Sequence, residues 1–368
     1  SRDWSSDVCS SDLLTEKIDG LRVDDHAIQI AVDKVIADHF GRFKKLVEDR
    51  QAEAFIAEQV AVHRVESRSC LDVFGVDVKD VKGKTLTVDV WNHPAAPVVD
   101  PDFIWTENIL RHLLLSDRTG ENLWFGGDKG TGKSETARQF AARTGRAFKR
   151  INFHKHTCAE EYLGATGLKN GETVFDPKDF LTAFTTPSTV ILLDEITNAD
   201  AGELAPLNGL LEPNAAVSYG GRVWRRAAGV LVFAADNTFG NGDETGRYTG
   251  TRMQNISLID RFSRIIPFTF LPAAQEIDAI INRSGCSLAL AEHVHNAIDV
   301  ARKKVKEAEI VDAPSIRSAI AFCRAVQDLH PRDAWETTIV ARQPSESAAV
   351  LRGLYELCIS ESLIKHNI

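Results

Sequence analysis

The chain has 368 residues and a formal net charge of −9, and its length suits two or three domains of usual size. The acidic balance disfavours a protein whose main surface binds nucleic acid, and no apolar run approaches the roughly 18 residues of a membrane-spanning helix. Six cysteines are scattered without a CxxC pair, and no secretory signal is apparent. This pattern predicts reduced thiols and a cytoplasmic protein.

Three regions precede the first chemical motif. Residues 1–13 are polar and aperiodic, and their string DVCSSDL is what a common sequencing adapter gives when translated. We therefore expect a non-native segment and a missing natural N-terminus. Residues 14–70 follow a helical apolar pattern, which predicts amphipathic helices packed on a neighbour, with a partner-binding arm as the alternative. Residues 71–97 are short β-like pieces broken by glycine and proline, which predict a linker.

The segment 123–135, LWFGGDKGTGKSE, has the full spacing of a phosphate-binding loop, Gly-x-x-x-x-Gly-Lys-Ser. Its apolar start predicts a buried strand, and its glycines let the backbone turn tightly and direct N–H groups at phosphate oxygens. A helix that opens at Ser134 presents its positive end to the anion. Lys133 would then reach the β- and γ-phosphates of ATP, and Ser134 would bind Mg²⁺. A chance glycine-rich turn is the alternative.

The nucleotide-binding residues predicted from this loop are Gly127, Asp128, Lys129, Gly130, Thr131, Gly132, Lys133, Ser134 and Glu135. The linker that precedes the loop is expected to close over the base of the nucleotide.

A continuous apolar run, residues 189–193, ends in Asp194-Glu195. Such a run predicts a parallel strand that is covered on both faces. Asp194 would hold the water shell of Mg²⁺, and Glu195 would orient and polarise the attacking water. A helix cap or a solvated turn is the alternative explanation of two acids at a strand end.

Polar residues lie next to each of the two following predicted strands. Asn237 offers a neutral amide to the γ-phosphate and the attacking water, although Asn-Thr is also common turn chemistry. Arg261 and Arg264 precede the final strand and are candidates to reach the γ-phosphate of a neighbouring subunit, with a surface Asp–Arg pair as the alternative. Arg317, on a later helix, is placed to contact the same phosphate from within the chain.

The order of elements predicts a parallel α/β nucleotide-binding domain over residues 98–271 and a helical lid over residues 272–368. A hairpin is expected over residues 216–223, because Gly220-Gly221 marks its turn. The sequence His154-x-His156-x-Cys158 offers three potential metal ligands on one strand face, but no fourth ligand is evident, and we interpret it as an ordinary passage from strand to loop.

Together these pieces resemble the MoxR-like group of AAA+ ATPases, and most of all the small, ATPase subunits of cobaltochelatase, the CobS type. The resemblance covers about residues 73–320. It is carried by Phe74-Gly75, the phosphate loop, Leu163-Gly164, the Asp194-Glu195 strand and Asp260-Arg261-Phe262. A glycine string, Gly240-x-Gly242-Asp243-x-x-Gly246-x-Tyr248-x-Gly250, is its most specific part. Asp236 departs from the family, whose members commonly have a small residue there.

The resemblance implies a P-loop sheet of five parallel strands, a helical lid and a hexameric ring. It also implies roles for individual residues: Walker A for Lys133 and Ser134, Walker B for Asp194 and Glu195, and sensor 1 for Asn237. Arg261 would be the arginine finger, with Arg264 as the second choice, and Arg317 the sensor 2 arginine. Family members work with a partner that carries a von Willebrand factor A domain.

The leading hypothesis is an ATP-hydrolysing ring motor that remodels or activates a partner protein, with cobaltochelatase-like metal insertion as one output. The first rival is a nucleic-acid motor of the helicase kind, for which the basic candidates are Arg222, Arg225 and Arg226 around Trp224. The second rival is a scaffold that binds ATP without turning it over.

Overall fold

The computed structural model describes residues 62–359, apart from 170, 214–215, 244–247 and 249. The predictions for residues 1–61, which include the non-native segment and most of the helical N-terminal region, lie outside the described residues. So does Gly246 of the glycine string, and so do residues 360–368 at the end of the predicted lid.

The strands in this part of the chain are β1 (Arg64–Ser69), β2 (Thr87–Trp91), β3 (Leu123–Gly126), β4 (Ala147–Asn152), β5 (Gly164–Lys169), β6 (Glu172–Pro177), β7 (Thr189–Asp194), β8 (Ala216–Tyr219), β9 (Arg222–Arg225), β10 (Leu231–Asp236) and β11 (Arg264–Pro267).

The helices are α1 (Cys70–Phe74), α2 (Glu107–Thr119), α3 (Lys133–Arg143), α4 (Ala159–Tyr162), α5 (Asp179–Thr185), α6 (Leu207–Leu210), α7 (Ile256–Ile259), α8 (Ala273–Ser284), α9 (Leu288–Lys306), α10 (Ile316–Ala325), α11 (Pro331–Trp335) and α12 (Ser345–Cys358). A short 3₁₀ turn (Ile196–Asn198) follows β7, and a π-helical turn (Glu336–Val340) follows α11.

The central sheet has five parallel strands in the order β11–β3–β10–β7–β4. Every residue of β3, β7 and β10 is buried, because helices cover both faces of a parallel sheet. Alternate side chains enter different cores. Trp124 packs with the cluster around Ile191 and Phe180, whereas Phe125 packs with Phe140 on the other face. The prediction of a parallel α/β sheet with the P-loop fold is confirmed.

The topology brings the phosphate loop, the acidic pair and Asn237 to the carboxyl-terminal edge of this sheet. The phosphate loop follows β3, Asp194 ends β7, and Asn237 follows β10. Because β10 lies between β3 and β7, Asn237 stands between the loop and the acidic pair. The carboxyl ends of parallel strands are where ligands bind in open α/β sheets.

The helical prediction that extended to residue 70 is wrong over Arg64–Ser69, where β1 pairs antiparallel with β2. The strand is exposed along nearly all its length and has no apolar face to reveal it. It exists through backbone hydrogen bonds to a segment some twenty residues away. The hydrophobic periodicity of residues 64–69 alone does not indicate pairing with β2.

Two hairpins project from the α/β domain. The predicted one forms from β8 and β9, with Gly220 and Gly221 at its turn. A second hairpin is formed by the antiparallel strands β5 and β6. The Phe175 ring of β6 lies 5.6 Å from the Tyr219 ring and 5.8 Å from the Trp224 ring, so the two hairpins pack against each other.

Helices α8–α12 form a separate apolar core around Phe322, Trp335 and Leu351. The Trp335 indole donates to the Leu351 carbonyl at 3.0 Å, so its polar edge is satisfied inside this core. A helical C-terminal region was predicted and is confirmed for the part described here. No helix between residues 62 and 359 has the length and apolarity to cross a membrane.

Candidate functional site

The predicted phosphate loop runs from the end of β3 into α3. Gly127, Gly130 and Gly132 all have positive φ angles, of 144°, 86° and 92°, a region that side chains disfavour. A Cβ at Gly127 would also lie 2.2 Å from the Phe268 carbonyl oxygen. Both constraints select glycine at position 127 and leave its backbone facing the loop interior.

Lys133 is buried, and its ammonium is anchored inside this loop. It donates to the Gly127 carbonyl, to the Asp128 carbonyl at 3.0 Å and to the Asn237 side-chain oxygen at 2.9 Å. Burial lowers the pKa of Lys133, and the charges of Glu195, Asp236, Asp194 and Asp128 oppose that shift. The ammonium therefore lies among oxygen acceptors and acidic groups, at the start of the helix where phosphate would bind.

Ser134 and Asp194 meet across the sheet edge. The Ser134 hydroxyl donates to Asp194 Oδ2 at 2.8 Å, and the Asp194 carboxylate is almost fully buried. A hydroxyl and a carboxylate are the hard oxygen ligands that Mg²⁺ prefers. The residues present therefore fit the predicted magnesium site. Ser134 and Asp194 would hold a magnesium ion here, and the ion would supply positive charge to offset that of the phosphates.

Asn237 links the lysine to the second acid. Its side-chain oxygen accepts from Lys133, and its amide nitrogen donates to both carboxylate oxygens of Glu195, at 3.1 and 3.3 Å. Glu195 has a left-handed backbone with φ of 55°, which turns its side chain away from the course of β7. The structure thus brings Lys133, Asn237 and Glu195 into one hydrogen-bonded chain.

Burial raises the pKa of Glu195, the nearby Asp194 charge raises it further, and Lys133 and the Asn237 hydrogen bond lower it. A general base must be deprotonated. We therefore expect the acid limb of the ATPase pH–rate profile at higher pH than an ordinary glutamate would give.

Replacing Asn237 with alanine removes a pKa-lowering hydrogen bond, so the limb should move to still higher pH. The measurement is kcat against pH at saturating ATP and Mg²⁺ in both chains. An acid limb at the same pH in the variant would contradict the assignment.

Asp236, which has no explanation in the sequence, has a structural one. Its carboxylate is buried and accepts from the Trp124 indole at 2.9 Å and from the backbone N–H groups of Thr238, Phe239 and Gly240 at 2.8–3.1 Å. The Thr238 hydroxyl donates to it as well. A small residue there would leave these donors unpaired. Asp236 therefore shapes the turn that carries Asn237.

The glycine string returns to the phosphate loop. The Tyr248 hydroxyl donates to the Asp128 side chain at 3.0 Å, and the Thr131 hydroxyl donates to the Asp128 backbone carbonyl at 2.8 Å. Sequence reasoning singled out the string for its glycines and did not recognise this contact. The only polar aromatic residue named in that string, Tyr248, could have indicated a hydrogen bond to a neighbouring loop.

Three predicted residues border the site without joining the central chain of hydrogen bonds. Glu135 is paired within α3, where Arg138 Nε lies 3.1 Å from both carboxylate oxygens, and Lys129 is exposed. Arg317 is exposed and forms no ion pair with the described residues. It lines a cavity of about 340 Å³ together with Gly130 and Thr131.

That cavity lies between the phosphate loop, the segment 102–109, residues 267–272 and α10. The apolar side chains among its lining include Phe103, Trp105, Ile109, Ile316 and Ile320. The linker 71–97, which was expected to close over the base, contributes no lining residue, and the segment that follows it does so instead. The flat ring of a nucleotide base suits a cavity with this apolar lining beside a phosphate loop.

The two candidate finger arginines lie at the opposite, amino-terminal edge of the sheet. Arg261 pairs with Glu212 at 2.7 Å and donates to the Asn208 carbonyl at 3.2 Å. Arg264 opens β11 and pairs with Glu121 at 2.6 Å. The length of β3 separates this edge from the phosphate loop by about 13 Å. Neither arginine therefore contacts the phosphate loop of its own chain.

The potential ligands in His154-x-His156-x-Cys158 do not gather. Among the described residues, no group of three or more histidine, cysteine or acidic side chains is arranged to hold a metal ion. The His154 ring lies 3.8 Å from Glu161, and the Cys158 thiol is free.

Comparison with known proteins finds a family model that matches part of the chain and several relatives of similar sequence. Residues 122–252 match the AAA domain of the dynein-related subfamily. Subunit CobS of the aerobic cobaltochelatase from a Sinorhizobium species is 28% identical over 219 residues, which cover 58% of this chain and 64% of CobS. The putative chaperone BssE of Thauera aromatica is 28% identical over 222 residues, which cover 57% of this chain and 73% of BssE.

The match therefore spans less than two thirds of CobS. Among solved structures, the Thermotoga maritima RuvB Holliday junction branch migration motor aligns over 73% of this chain and 74% of its own, with 14% identity and a TM-score of 0.43. The family match and the sequence relatives agree with the loop, the acidic pair and the sheet order described above. The chain thus contains an AAA-type ATPase domain over residues 122–252 and is similar in sequence to the cobaltochelatase subunit CobS.

Proposed function

We propose that this chain is a MoxR-like, ring-forming motor, hexameric and cytoplasmic, that hydrolyses MgATP to remodel or activate a partner protein. The observation that carries the proposal is the division of the predicted machinery between two edges of the sheet. Lys133, Ser134, Asp194, Glu195 and Asn237 meet at one edge, and Arg261 lies at the other. A site built in this way is completed by the arginine of a neighbouring copy.

In this proposal each residue has a distinct task. The loop backbone and Lys133 hold the β- and γ-phosphates, and Ser134 and Asp194 hold the magnesium ion. Glu195 accepts a proton from the attacking water, and Asn237 fixes the Glu195 carboxylate relative to Lys133. Arg317 is placed at the cavity to contact phosphate from the lid. Arg261 of the next copy stabilises the charge that develops on the γ-phosphate, with Arg264 as the second candidate.

The relationship to CobS supports a chelatase-type output with a partner that carries a von Willebrand factor A domain. The relationship to the putative chaperone BssE supports a chaperone-like action on a partner protein. Both outputs use ATP hydrolysis to change the conformation of another protein. We therefore propose partner remodelling as the shared function and treat metal insertion as one form of it.

The test is the ATPase rate per protomer as protein concentration rises, measured without residues 1–13. For the wild-type chain we expect a rate that curves upward, because sites form only between copies. In Arg261→Ala the rate should fall at least about tenfold at high concentration, with ATP binding retained, since a finger arginine acts on the transition state.

The matched control is Arg332→Ala, which removes an exposed ion pair with Glu356 in the lid and should leave the curve unchanged. A flat rate that is indifferent to Arg261 would mean that each chain has a self-contained site, and the ring motor would have to be abandoned.

The nucleic-acid motor is weakened by the placement of its basic candidates. Arg222 and Arg225 are exposed on the β8–β9 hairpin, but Arg226 is turned inward and donates to the Val230 and Gly120 carbonyls, each at 3.0 Å. Filter binding of single-stranded DNA across a salt series separates the two functions, because phosphate contacts give a steep salt dependence. The remodelling motor predicts no binding at low salt.

A further inference from the structure

Arg150 is a cation beside the proposed magnesium site to which the function above gives no role. It lies on β4, the edge strand next to β7, with Asn152 of β4 opposite Asp194. Arg150 and Asn152 are two residues apart on one strand and so share a face. The long Arg150 side chain runs along that face to the strand end, where its Nε lies 2.6 Å from Asp194 Oδ2.

The contact involves the one oxygen that already has a partner. Asp194 Oδ2 also accepts the Ser134 hydroxyl at 2.8 Å, so the guanidinium and the hydroxyl meet at a single atom. The Asp194 side chain is only 4% exposed, whereas that of Arg150 is 53% exposed. The buried carboxylate is therefore paired with a charge that solvent reaches and that can move away without leaving a cation buried.

The charges around Asp194 determine how strongly the site attracts a divalent cation, and the contact with Arg150 changes that charge balance. Four acids carry negative charge near Lys133, namely Asp128, Asp194, Glu195 and Asp236. Lys133 faces these acids from the phosphate loop, and Arg150 faces Asp194 from the neighbouring strand β4. A divalent cation held by Ser134 and Asp194 would be attracted by this acidic group and repelled by the guanidinium, which lies a few ångströms from the Ser134 oxygen.

We propose that Arg150 is a positioning residue for the metal-binding carboxylate, and that it weakens the attraction of the site for a divalent cation. It orients Asp194 and offsets its charge. Arg150 thereby keeps metal binding dependent on the nucleotide phosphates and eases release of the metal with the product. This inference rests on the proposed MgATP site and adds a residue that the phosphate-loop pattern does not include.

The test compares equilibrium binding of a fluorescent ATP analogue in Mg²⁺ and in EDTA, in the full chain. The readout is the ratio of the two dissociation constants. In Arg150→Gln, which keeps a hydrogen-bond donor and removes the charge, we expect Mg²⁺ to strengthen binding about tenfold more than in the wild type, the effect of one unit charge at this range. The ratio is the readout because the lost charge also acts on the anionic phosphates, and that effect is present in both conditions. Arg150→Lys should return the ratio toward the wild-type value.

Lys149→Ala is the matched control, because Lys149 is the neighbouring cation on the same strand and pairs instead with Asp179 at 2.8 Å. It should leave the ratio unchanged. A second readout is titration with Mn²⁺ alone, followed by electron paramagnetic resonance, in which Arg150→Gln should bind the metal more tightly. Melting temperatures of all variants identify any that fail to fold. If Arg150→Gln does not fold, the ratio measured for Arg150→Lys is used to test the proposal.

The remaining outcomes overturn the proposal. An unchanged ratio would mean that Arg150 has no influence on the metal, and a smaller ratio would mean that it supports metal binding. Equal weakening in Mg²⁺ and EDTA would mean that Arg150 contacts the nucleotide phosphates. Failure of the proposed function is distinguishable, because the wild-type chain itself would then not bind the analogue.

Discussion

Replacing Glu195 with glutamine should lower kcat for ATP hydrolysis at least about a hundredfold and leave ATP affinity nearly unchanged. Glutamine has the shape of glutamate, and its side-chain oxygen still accepts from Asn237. It is a far weaker base toward water, and loss of a general base costs about 10² to 10⁴ in rate. Lys133 and Ser134, to which we assign the phosphates and the metal, are not altered. The measurements are steady-state turnover and calorimetric titration with ATP.

The matched control is Glu336→Gln, which changes an exposed lid glutamate paired with Arg352. It should turn over like the wild-type chain, because exposed pairs contribute little. Near-normal turnover in Glu195→Gln would remove Glu195 from the mechanism. Loss of ATP binding in the same variant would instead make Glu195 a residue that organises the site.

Replacing Asp236 with alanine should destabilise the chain by about 3–5 kcal/mol, a large share of the 5–15 kcal/mol that holds a typical domain together. The substitution leaves the Trp124 indole and three backbone N–H groups with no acceptor in a buried turn. Each unpaired buried donor costs about 1–3 kcal/mol, less where the turn relaxes. The measurement is the midpoint of urea unfolding, with nucleotide binding followed in parallel.

Asp236→Asn separates the loss of an acceptor from the loss of charge, because one side-chain oxygen remains. Its urea unfolding midpoint should lie between those of the wild-type chain and Asp236→Ala. Asp299→Ala is the control, since Asp299 pairs with the exposed Lys303 on α9 at 2.9 Å. If Asp236→Ala unfolds at the wild-type midpoint, the carboxylate does not shape the turn that carries Asn237.

The sequence could single out Lys133, Ser134, Asp194 and Asn237, which the structure brings together, because their motifs lie within short stretches of the chain. The spacing from Gly127 to Ser134 specifies a loop that only glycine backbones can form. The apolar strand before Asp194 predicts by itself that two acids emerge at a sheet edge. The fold class followed from the same signals, because buried parallel strands read as apolar runs separated by helices.

The base cavity was predicted less well. The linker 71–97 was expected to cover the base, yet Phe103 and Trp105 line the cavity with residues of the lid. Which of two adjacent segments reaches a cavity depends on how the chain enters α2, and local sequence does not specify that path. Strand β1 was missed for a related reason, because its hydrogen-bonding partner is distant in the sequence.

By itself the sequence predicted a phosphate loop with Lys133 and Ser134 at the start of a helix and two acids after a buried strand, because both signals lie within a few consecutive residues. Only the tertiary structure decided which side chains meet. It placed Asn237 between Lys133 and Glu195, gave the Asp236 charge its five donors and brought Arg150 to Asp194. These pairings depend on strand order in the sheet, and strand order is set by packing between segments that lie far apart in the chain.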